Sequence, residues 1–411
     1  MTATRRKNSR RKKLLLVLFG LGFGLLLAEI FLRIVGYSAP LFYQPDQFLG
    51  ATLRPNIAGS YIREGRSFVS INSAGLRDRE HTIAKPPNTF RIALLGDSYC
   101  EALQVPIEQT FWWQLQQRLE SCQAFGGQHV EIINFGVSGY GTGAELITLQ
   151  RRVWQYSPDM VMLLMTTNND ISDNLRVLKK GDETPYFSYR GDELVVDNSF
   201  RESSAFRWHS SILNRVGVAF RDHLRTVQLL YEIHLLIKAK RDEQRSRVQT
   251  PAPAQTPAPG PTQSLVPRDA RDISVENMIY LEPADPTWTE AWRVAEGLIK
   301  QMHREVVQKS ARFLIVVGSN PIQAYPNRDV RERFQSYVGV DNLFYPNRRL
   351  TELANSEKID FLDLAPSMQR YADESHLFLH GFGKQIGNGH WNADGHREAA
   401  ELIAAKMCST Q

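Results

Sequence analysis

The stretch RIALLGDSYC, residues 91–100, determines how the rest of the chain is interpreted. Ile92 to Leu95 form an apolar run of strand length that ends at Gly96, so they predict a buried strand. A helical pattern follows Ser98, which therefore lies where a strand ends and a helix begins. Ligands of open α/β sheets bind at that edge, and backbone N–H groups there hold developing negative charge. Taken alone, Gly-Asp-Ser is equally well explained as a turn.

The same strand-then-helix pattern recurs along the chain. Four further apolar runs predict strands: Val130–Asn134, Met160–Met165, Phe313–Val317 and Phe361–Leu364. Because most of these runs are apolar at successive positions, they predict an α/β fold whose parallel sheet is covered on both faces. Thr287 to Glu290 form a capping box before a helix with a periodic apolar face, and 392–407 predict a closing helix.

Charge is concentrated at the start of the chain. The formal net charge is +5, and seven basic residues lie within positions 5–13, so the remainder carries −2. A basic, aromatic nucleic-acid surface is therefore not expected. The three cysteines, Cys100, Cys122 and Cys408, fit no zinc site and no disulfide framework. We expect small buried side chains, with one bridged pair as the alternative in an oxidising compartment.

A membrane segment is predicted at 14–35. Its first fifteen residues carry no charge, and its 22 residues are long enough to cross about 30 Å of hydrocarbon. Glu29 and Arg33, four residues apart, are expected to pair on one helix face. The basic tail at 1–13 predicts a cytoplasmic N-terminus with the remainder exported. A cleaved signal peptide is the alternative, but no small-x-small cleavage pattern follows, which favours an uncleaved anchor.

The remaining organisation follows from composition. Residues 36–88 predict a small β-rich lead-in, and 89–411 an α/β domain with an insertion at 176–284. Within the insertion, 210–240 predicts a basic amphipathic helix, and 250–267 a Pro-rich linker. We expect the amphipathic helix to be packed with a solvated outer face; a lid or a membrane-surface helix is the alternative.

Four separated patches carry the residue types that acyl transfer requires. They are 96–98 (GDS), 134–139 (NFGVSG), 168–170 (NND) and 390–396 (HWNADGH). The first three follow successive strand ends, so the fold brings them to one rim of the sheet. A nucleophile, a glycine N–H, an amide side chain and an imidazole are thereby available together.

This combination resembles the SGNH (GDSL-like) hydrolase family, and the four patches fall in the family's order. The resemblance implies a flavodoxin-like three-layer sandwich with a five-stranded parallel sheet. It implies Ser98 as nucleophile and His390 as the base that takes the serine proton. The oxyanion would be held by the N–H groups of Ser98 and Gly139 and by the Asn169 amide. Residues 71–78 (INSAGLRD) look like the lead-in of membrane-anchored bacterial members.

Two positions depart from the family pattern. Thr167 replaces the usual glycine of the third patch and is expected to narrow the pocket. Gly387 stands where the family has an acid, three residues before His390, which leaves a dyad or another carboxylate. The candidate carboxylates are Asp363, Asp373, Glu374 and Asp394. His380 and His396 are rival histidines, and we expect His396 to pack or cap.

The resemblance implies a serine esterase or acyltransferase anchored in the bacterial inner membrane, with its catalytic domain on the periplasmic side. The expected substrates are acyl, especially acetyl, esters of carbohydrates or envelope polymers, or small esters. No cofactor, metal or nucleic acid is expected, and protein partners are not specified. The alternative is a catalytically silent relative that binds polysaccharide or scaffolds an export complex, which Gly387 favours.

Overall fold

The computed structural model describes residues 3–179, 181, 183–249 and 275–409. The predicted linker at 250–267 and the first two residues of the predicted basic tail lie outside these ranges. The described residues form two compact units. Among these residues, one unit comprises 3–41, 58–60 and 211–249, and the other comprises 42–57, 61–179, 181, 183–210 and 275–409.

Eleven strands are present in the described chain. They are β1 (Tyr43–Asp46), β2 (Gly50–Leu53), β3 (Ile57–Tyr61), β4 (Ser67–Ile71), β5 (Thr89–Leu95), β6 (His129–Asn134), β7 (Met160–Met165), β8 (Tyr186–Arg190), β9 (Glu193–Asp197), β10 (Arg312–Val317) and β11 (Asp360–Asp363). The first four fall within the predicted β-rich lead-in. Within the insertion, β8 and β9 form an antiparallel hairpin, and this hairpin was not predicted from the sequence.

Fourteen α-helices are present in the same residues. They are α1 (Ala3–Ile34), α2 (Ser98–Glu101), α3 (Phe111–Ser121), α4 (Thr142–Thr148), α5 (Thr167–Ser172), α6 (Arg176–Lys179), α7 (Ser204–Ser210), α8 (Ile212–His223), α9 (Arg225–Gln249), α10 (Pro286–Gln308), α11 (Arg328–Val338), α12 (Tyr345–Glu357), α13 (Ala365–Ser375) and α14 (Ala393–Ser409).

The five predicted strands form one parallel sheet in the order β11-β10-β7-β5-β6. Counted along the sheet's own strands this is 2-1-3-4-5, the flavodoxin-like order. Ile92 of β5 lies opposite Ile132 and Met160 on its two neighbours. Alternate residues point to opposite faces, so Ile92 packs with α3 and α14 while Ala93 packs with α10. The predicted three-layer α/β fold is confirmed.

Helix α10 confirms its predicted apolar face but not its predicted start. Trp292, Ile299 and Met302 are fully buried against the sheet. The N-cap is Asp285, whose carboxylate accepts from the N–H groups of Thr287 and Trp288 at 2.9 and 3.0 Å. The prediction that α10 begins with a capping box at 287–290 is therefore wrong. Asp285, two residues before Thr287, accepts from the free N–H groups of the first turn instead.

In the insertion, the predicted helix over 210–240 is two helices, α8 and α9, separated at Leu224 by an extended backbone. The expected packed apolar face is wrong for α8, since Ile212, Val216 and Phe220 are 77%, 62% and 61% exposed. The buried residue of α8 is instead a charged one, Arg221.

Helix α1 contains an apolar stretch, Lys12–Ile34, that is long enough to cross a membrane and is not buried. By length and composition alone, a signal sequence passes the same test. Near its end, Arg33 Nε donates to Glu29 Oε1 at 2.8 Å, which confirms the predicted pair.

The cysteines differ in part from expectation. Cys122 and Cys408 form a disulfide across 286 residues, joining the end of α3 to the last turn of α14. The expectation of small unpaired side chains is wrong for this pair, because the fold packs two sequence-distant helices side by side. Cys100 is free and buried, as expected.

Replacing both bridged cysteines, Cys122→Ser with Cys408→Ser, is expected to lower the free energy of unfolding by about 2–5 kcal/mol, because the cross-link restricts a long loop of the unfolded chain. Chemical denaturation measures the change. Reductant should destabilise the native protein and leave the double variant unaffected. Equal stability of the two proteins, with or without reductant, would show that the bridge does not form.

Candidate active site

Ser98 lies at the carboxyl edge of the sheet. Strand β5 ends at Leu95, and α2 begins at Ser98. Asp97 caps this helix, because its carboxylate accepts from the Tyr99 N–H at 2.9 Å. Ser98 is largely buried, at 7% exposure. The turn between strand and helix therefore holds the hydroxyl at a fixed point of the rim.

His390 meets Ser98 across 292 residues of sequence. Its Nε2 lies 2.8 Å from Ser98 Oγ. The imidazole approaches from the loop just before α14, and a bridge between His380 and Trp391 pins this loop. The Tyr99 hydroxyl also donates to the Gly389 carbonyl at 3.2 Å, so the loop is tied directly to the serine's own helix.

A third residue, Glu64, extends this hydrogen-bonded pair. It lies in the lead-in between β3 and β4. Its Oε2 lies 2.5 Å from His390 Nδ1, and its Oε1 accepts from the His390 backbone N–H at 2.8 Å. A carboxylate only accepts, so Nδ1 carries the ring proton and Nε2 is free to accept from Ser98. Serine, histidine and carboxylate are thus joined in the order that activates a hydroxyl as a nucleophile.

None of the four carboxylates considered from the sequence has a hydrogen bond to His390 in the described chain. Asp363 accepts from Asn347 and from the Ala365 N–H at the start of α13. Asp373 pairs with Arg331, and Asp394 pairs with Arg397. Among the described residues, Glu374 forms no hydrogen bond or ion pair with His390 either.

An acidic side chain would not fit at position 387, where the chain has a glycine. Its φ is +86°, a conformation that side chains rarely adopt, and an added Cβ would lie 2.7 Å from the Tyr325 ring and 3.0 Å from that of Phe378. Gly389 has φ +88°, and a Cβ there would clash with the Glu64 carboxylate. Gly389 therefore lets the loop pass close to Glu64, whose carboxylate bonds to His390.

The electrostatics match this pairing. Burial lowers the pKa of His390, but the hydrogen bond and charge of Glu64 outweigh it and raise the pKa above 6.5. Burial raises the pKa of Glu64, but its bonds to His390 outweigh that effect and lower the pKa below its ordinary value. The pair therefore stabilises a charged imidazolium next to an ionised carboxylate.

The rival histidines are buried elsewhere. Burial lowers the pKa of both His380 and His396 to about 3, so they are neutral near pH 7. His380 Nε2 donates to the Ser319 carbonyl at 3.0 Å. His396 Nδ1 accepts from the Phe111 N–H at 3.3 Å. Neither ring is bonded to Ser98 in the described chain.

Asn169 is held near the nucleophile by Asp97. Its Nδ2 donates to Asp97 Oδ2 at 2.8 Å, and the Thr166 hydroxyl donates to the same oxygen. The amide nitrogen carries two hydrogens, so one remains for a ligand. Thr167 is fully buried, and its hydroxyl accepts from Asn320 at 2.9 Å. The aspartate before the serine thus joins the first and third sequence patches.

Gly139 lies in the loop after β6, with φ +81°. Glu101 of α2 holds this loop, since its buried carboxylate accepts from the Ser138 N–H at 2.8 Å and from the hydroxyls of Ser138 and Tyr43. In the described part of the chain, the N–H groups of Ser98 and Gly139 have no hydrogen-bond partner. Free N–H groups at such a rim are suited to bind an oxyanion.

The lead-in also braces the helix that carries Ser98. Arg77 is fully buried and donates to the carbonyls of Glu101, Ala102 and Val105 at the end of that helix. Asp78 accepts from the Asn134 N–H of β6 at 2.8 Å. Residues 71–78, which resemble a family lead-in, are therefore part of the framework around the site.

Comparisons with known proteins give distant structural likenesses. No family model matches the chain, and no curated protein matches it. Similar solved structures include a catalytic mutant of Axe2, an acetylxylan esterase from Geobacillus stearothermophilus, at 10% identity over 77% of this chain and 94% of that one, with a TM-score of 0.36.

Two other similar structures are each 12% identical to this chain. They are LAE5, an α/β hydrolase from the metagenome of Lake Arreo, Spain, and the acetyl xylan esterase AlAXEase. The match to LAE5 covers 78% of this chain and 97% of the LAE5 chain, with a TM-score of 0.36. The match to AlAXEase covers 77% of this chain and 99% of the AlAXEase chain, with a TM-score of 0.35. Likenesses this distant carry no conclusion about activity.

Replacing Glu64→Gln is expected to lower the pKa of His390, because burial then acts on the ring without the hydrogen bond and charge of Glu64. Titration of the histidine ring by NMR measures the shift. Asp394→Asn is the matched control, since Asp394 pairs with Arg397 and should leave His390 unchanged. An unaltered His390 pKa in Glu64→Gln would contradict the pairing.

Proposed function

We propose that this protein is a membrane-anchored serine esterase or acyltransferase of the SGNH type. The observation that carries the proposal is the continuous chain of hydrogen bonds from Ser98 through His390 to Glu64 at the carboxyl edge of the sheet. Ser98, His390, Gly139 and Asn169 are the proposed functional residues, with Glu64 added to complete a triad.

The proposed reaction begins with attack of Ser98 Oγ on an ester carbonyl. His390 Nε2 takes the hydroxyl proton, and Glu64 stabilises the imidazolium that results. The tetrahedral oxyanion is held by the N–H groups of Ser98 and Gly139 and by Asn169 Nδ2. Collapse of the tetrahedral intermediate breaks its bond to the alcohol oxygen, and the alcohol leaves with the proton from His390. The acyl group remains bound to Ser98.

The second half returns the enzyme to its starting state. His390 takes a proton from an incoming hydroxyl, whose oxygen attacks the acyl-serine carbonyl. The serine leaves with the proton that His390 returns. Water as acceptor releases a carboxylic acid, whereas a sugar hydroxyl gives a new ester. The same site therefore accommodates both hydrolysis and transfer.

A neighbouring pocket supports a carbohydrate ester as substrate. It has a volume of about 280 Å³ and lies against the loop that leads to His390 and against Asn168, which precedes Asn169. Aromatic side chains and amides line it, including Tyr280, Tyr325, Phe334, Asn277 and Asn388. No charged side chain lines it among the described residues. Rings and amides without charge suit a neutral, polyhydroxylated ligand.

Three features support an exported catalytic domain. The stretch Lys12–Ile34 is apolar and exposed, as a membrane anchor requires. The basic residues precede it, which favours a cytoplasmic N-terminus. The bridge between Cys122 and Cys408 belongs to oxidising compartments, such as the periplasm. We therefore assign the protein to the bacterial inner membrane, with the hydrolase domain outside the cytoplasm.

A catalytically silent binding protein is less well supported. Its one supporting feature was the glycine at 387 in place of the family's acid. Glu64 provides a carboxylate at hydrogen-bond distance from the histidine, so the position of Gly387 no longer argues against catalysis.

Ser98→Ala is expected to lower kcat for hydrolysis of p-nitrophenyl acetate by at least about 10³-fold, because no other group forms the acyl intermediate. Ser356→Ala is the control, since Ser356 lies near the end of α12, which packs beside the edge strand β11, and its hydroxyl donates to the Leu353 carbonyl. Unchanged release of p-nitrophenol by Ser98→Ala would refute the proposal. An acetylated oligosaccharide assayed with an acceptor sugar distinguishes transfer from hydrolysis.

A further inference from the structure

Helix α8 presents its apolar side to the outside. Ile212, Leu213, Val216 and Phe220 are 77%, 73%, 62% and 61% exposed, and their spacing places them on one side of the helix. Arg221, on another side, is buried and its guanidinium lies 4.3 Å from the centre of the Tyr231 ring. This orientation is the reverse of that expected for an amphipathic helix packed on a water-soluble core.

The end of α8 is fixed to the last turns of the apolar helix α1. Arg33 Nη2 donates to the carbonyl of His223, the final residue of α8, at 2.5 Å. Glu29 accepts from the N–H groups of Arg225 and Thr226 at 3.0 and 2.9 Å, which caps the start of α9. Glu29 and Arg33 also pair with each other. The helix is thus attached where the apolar stretch Lys12–Ile34 ends.

We propose that α8 lies in the interface of the outer leaflet of the inner membrane, with Ile212, Leu213, Val216 and Phe220 in contact with lipid acyl chains. This inference rests on the proposed membrane anchor. Four large apolar side chains exposed side by side on a protein surface mark an interaction site. Lipid is the occupant that the attachment favours, because a helix bonded to the end of a membrane span is held beside the bilayer surface.

The flanking charge fits the same position. Arg215 is exposed and lies beside the apolar face, where its long side chain can reach phosphate head groups while the stem covers apolar surface. Basic residues next to an apolar face are the pattern of helices that lie in the plane of an anionic membrane.

The test uses the full chain in proteoliposomes of phosphatidylethanolamine and phosphatidylglycerol. A nitroxide is attached to Val216→Cys or Phe220→Cys, and its collisions with oxygen, which enters lipid, and with a water-soluble nickel chelate are compared. Arg215→Cys is the matched control on the adjoining polar side, and Leu21→Cys reports on the anchor itself. We expect lipid-like collision ratios at 216, 220 and 21, and a water-like ratio at 215.

The outcomes separate this inference from the proposed anchor. A lipid-like ratio at 21 with a water-like ratio at 216 and 220 leaves the anchor intact and overturns the role of α8. Water-like ratios at all positions overturn the membrane location as well. Shielding of 216 from both reagents, with spin–spin broadening that grows with protein density, assigns the face to a second copy of the chain and also overturns the lipid contact.

Discussion

The bond between Glu64 and His390 is the interaction on which the site depends. One carboxylate engages both the ring Nδ1 and the backbone N–H of the histidine, so it fixes the tautomer, the ring orientation and the loop together. Without this partner, burial would lower the pKa of the imidazole, and only the weaker attraction of Asp97 and Glu101 would favour its charged form. The attraction of Glu64 outweighs the burial cost, and Nε2 faces Ser98 as a proton acceptor.

The fold delivers these three residues from distant parts of the chain. The parallel sheet places the turn before Ser98 and the patches after β6 and β7 at one rim. The lead-in contributes more than a connection, since it supplies Glu64 and also the buried Arg77 that holds the end of the serine's helix. Asp97 then links that helix to Asn169. The site is therefore a network of buried polar contacts rather than four independent loops.

The sequence predicts what depends on local pattern. Strands such as Met160–Met165 and the buried face of α10 follow from apolar runs and periodicity, and the structure has them where expected. Glu64 is different, because a single glutamate in a polar loop, 326 residues from its partner, has no pattern around it. The available signal was Gly389, directly before His390, since a glycine can mark a point where another group approaches the backbone closely. The outward-facing side of α8 also escapes prediction, because amphipathic spacing does not reveal which side meets protein.

The most direct test of a Ser98–His390–Glu64 triad is reaction of the full-length protein with a fluorophosphonate, followed by peptide mapping of the adduct. The account predicts one phosphonylated residue, Ser98, with labelling lost in His390→Ala and strongly slowed in Glu64→Ala. An adduct on another residue, or none under conditions that label a known serine hydrolase, would contradict the account.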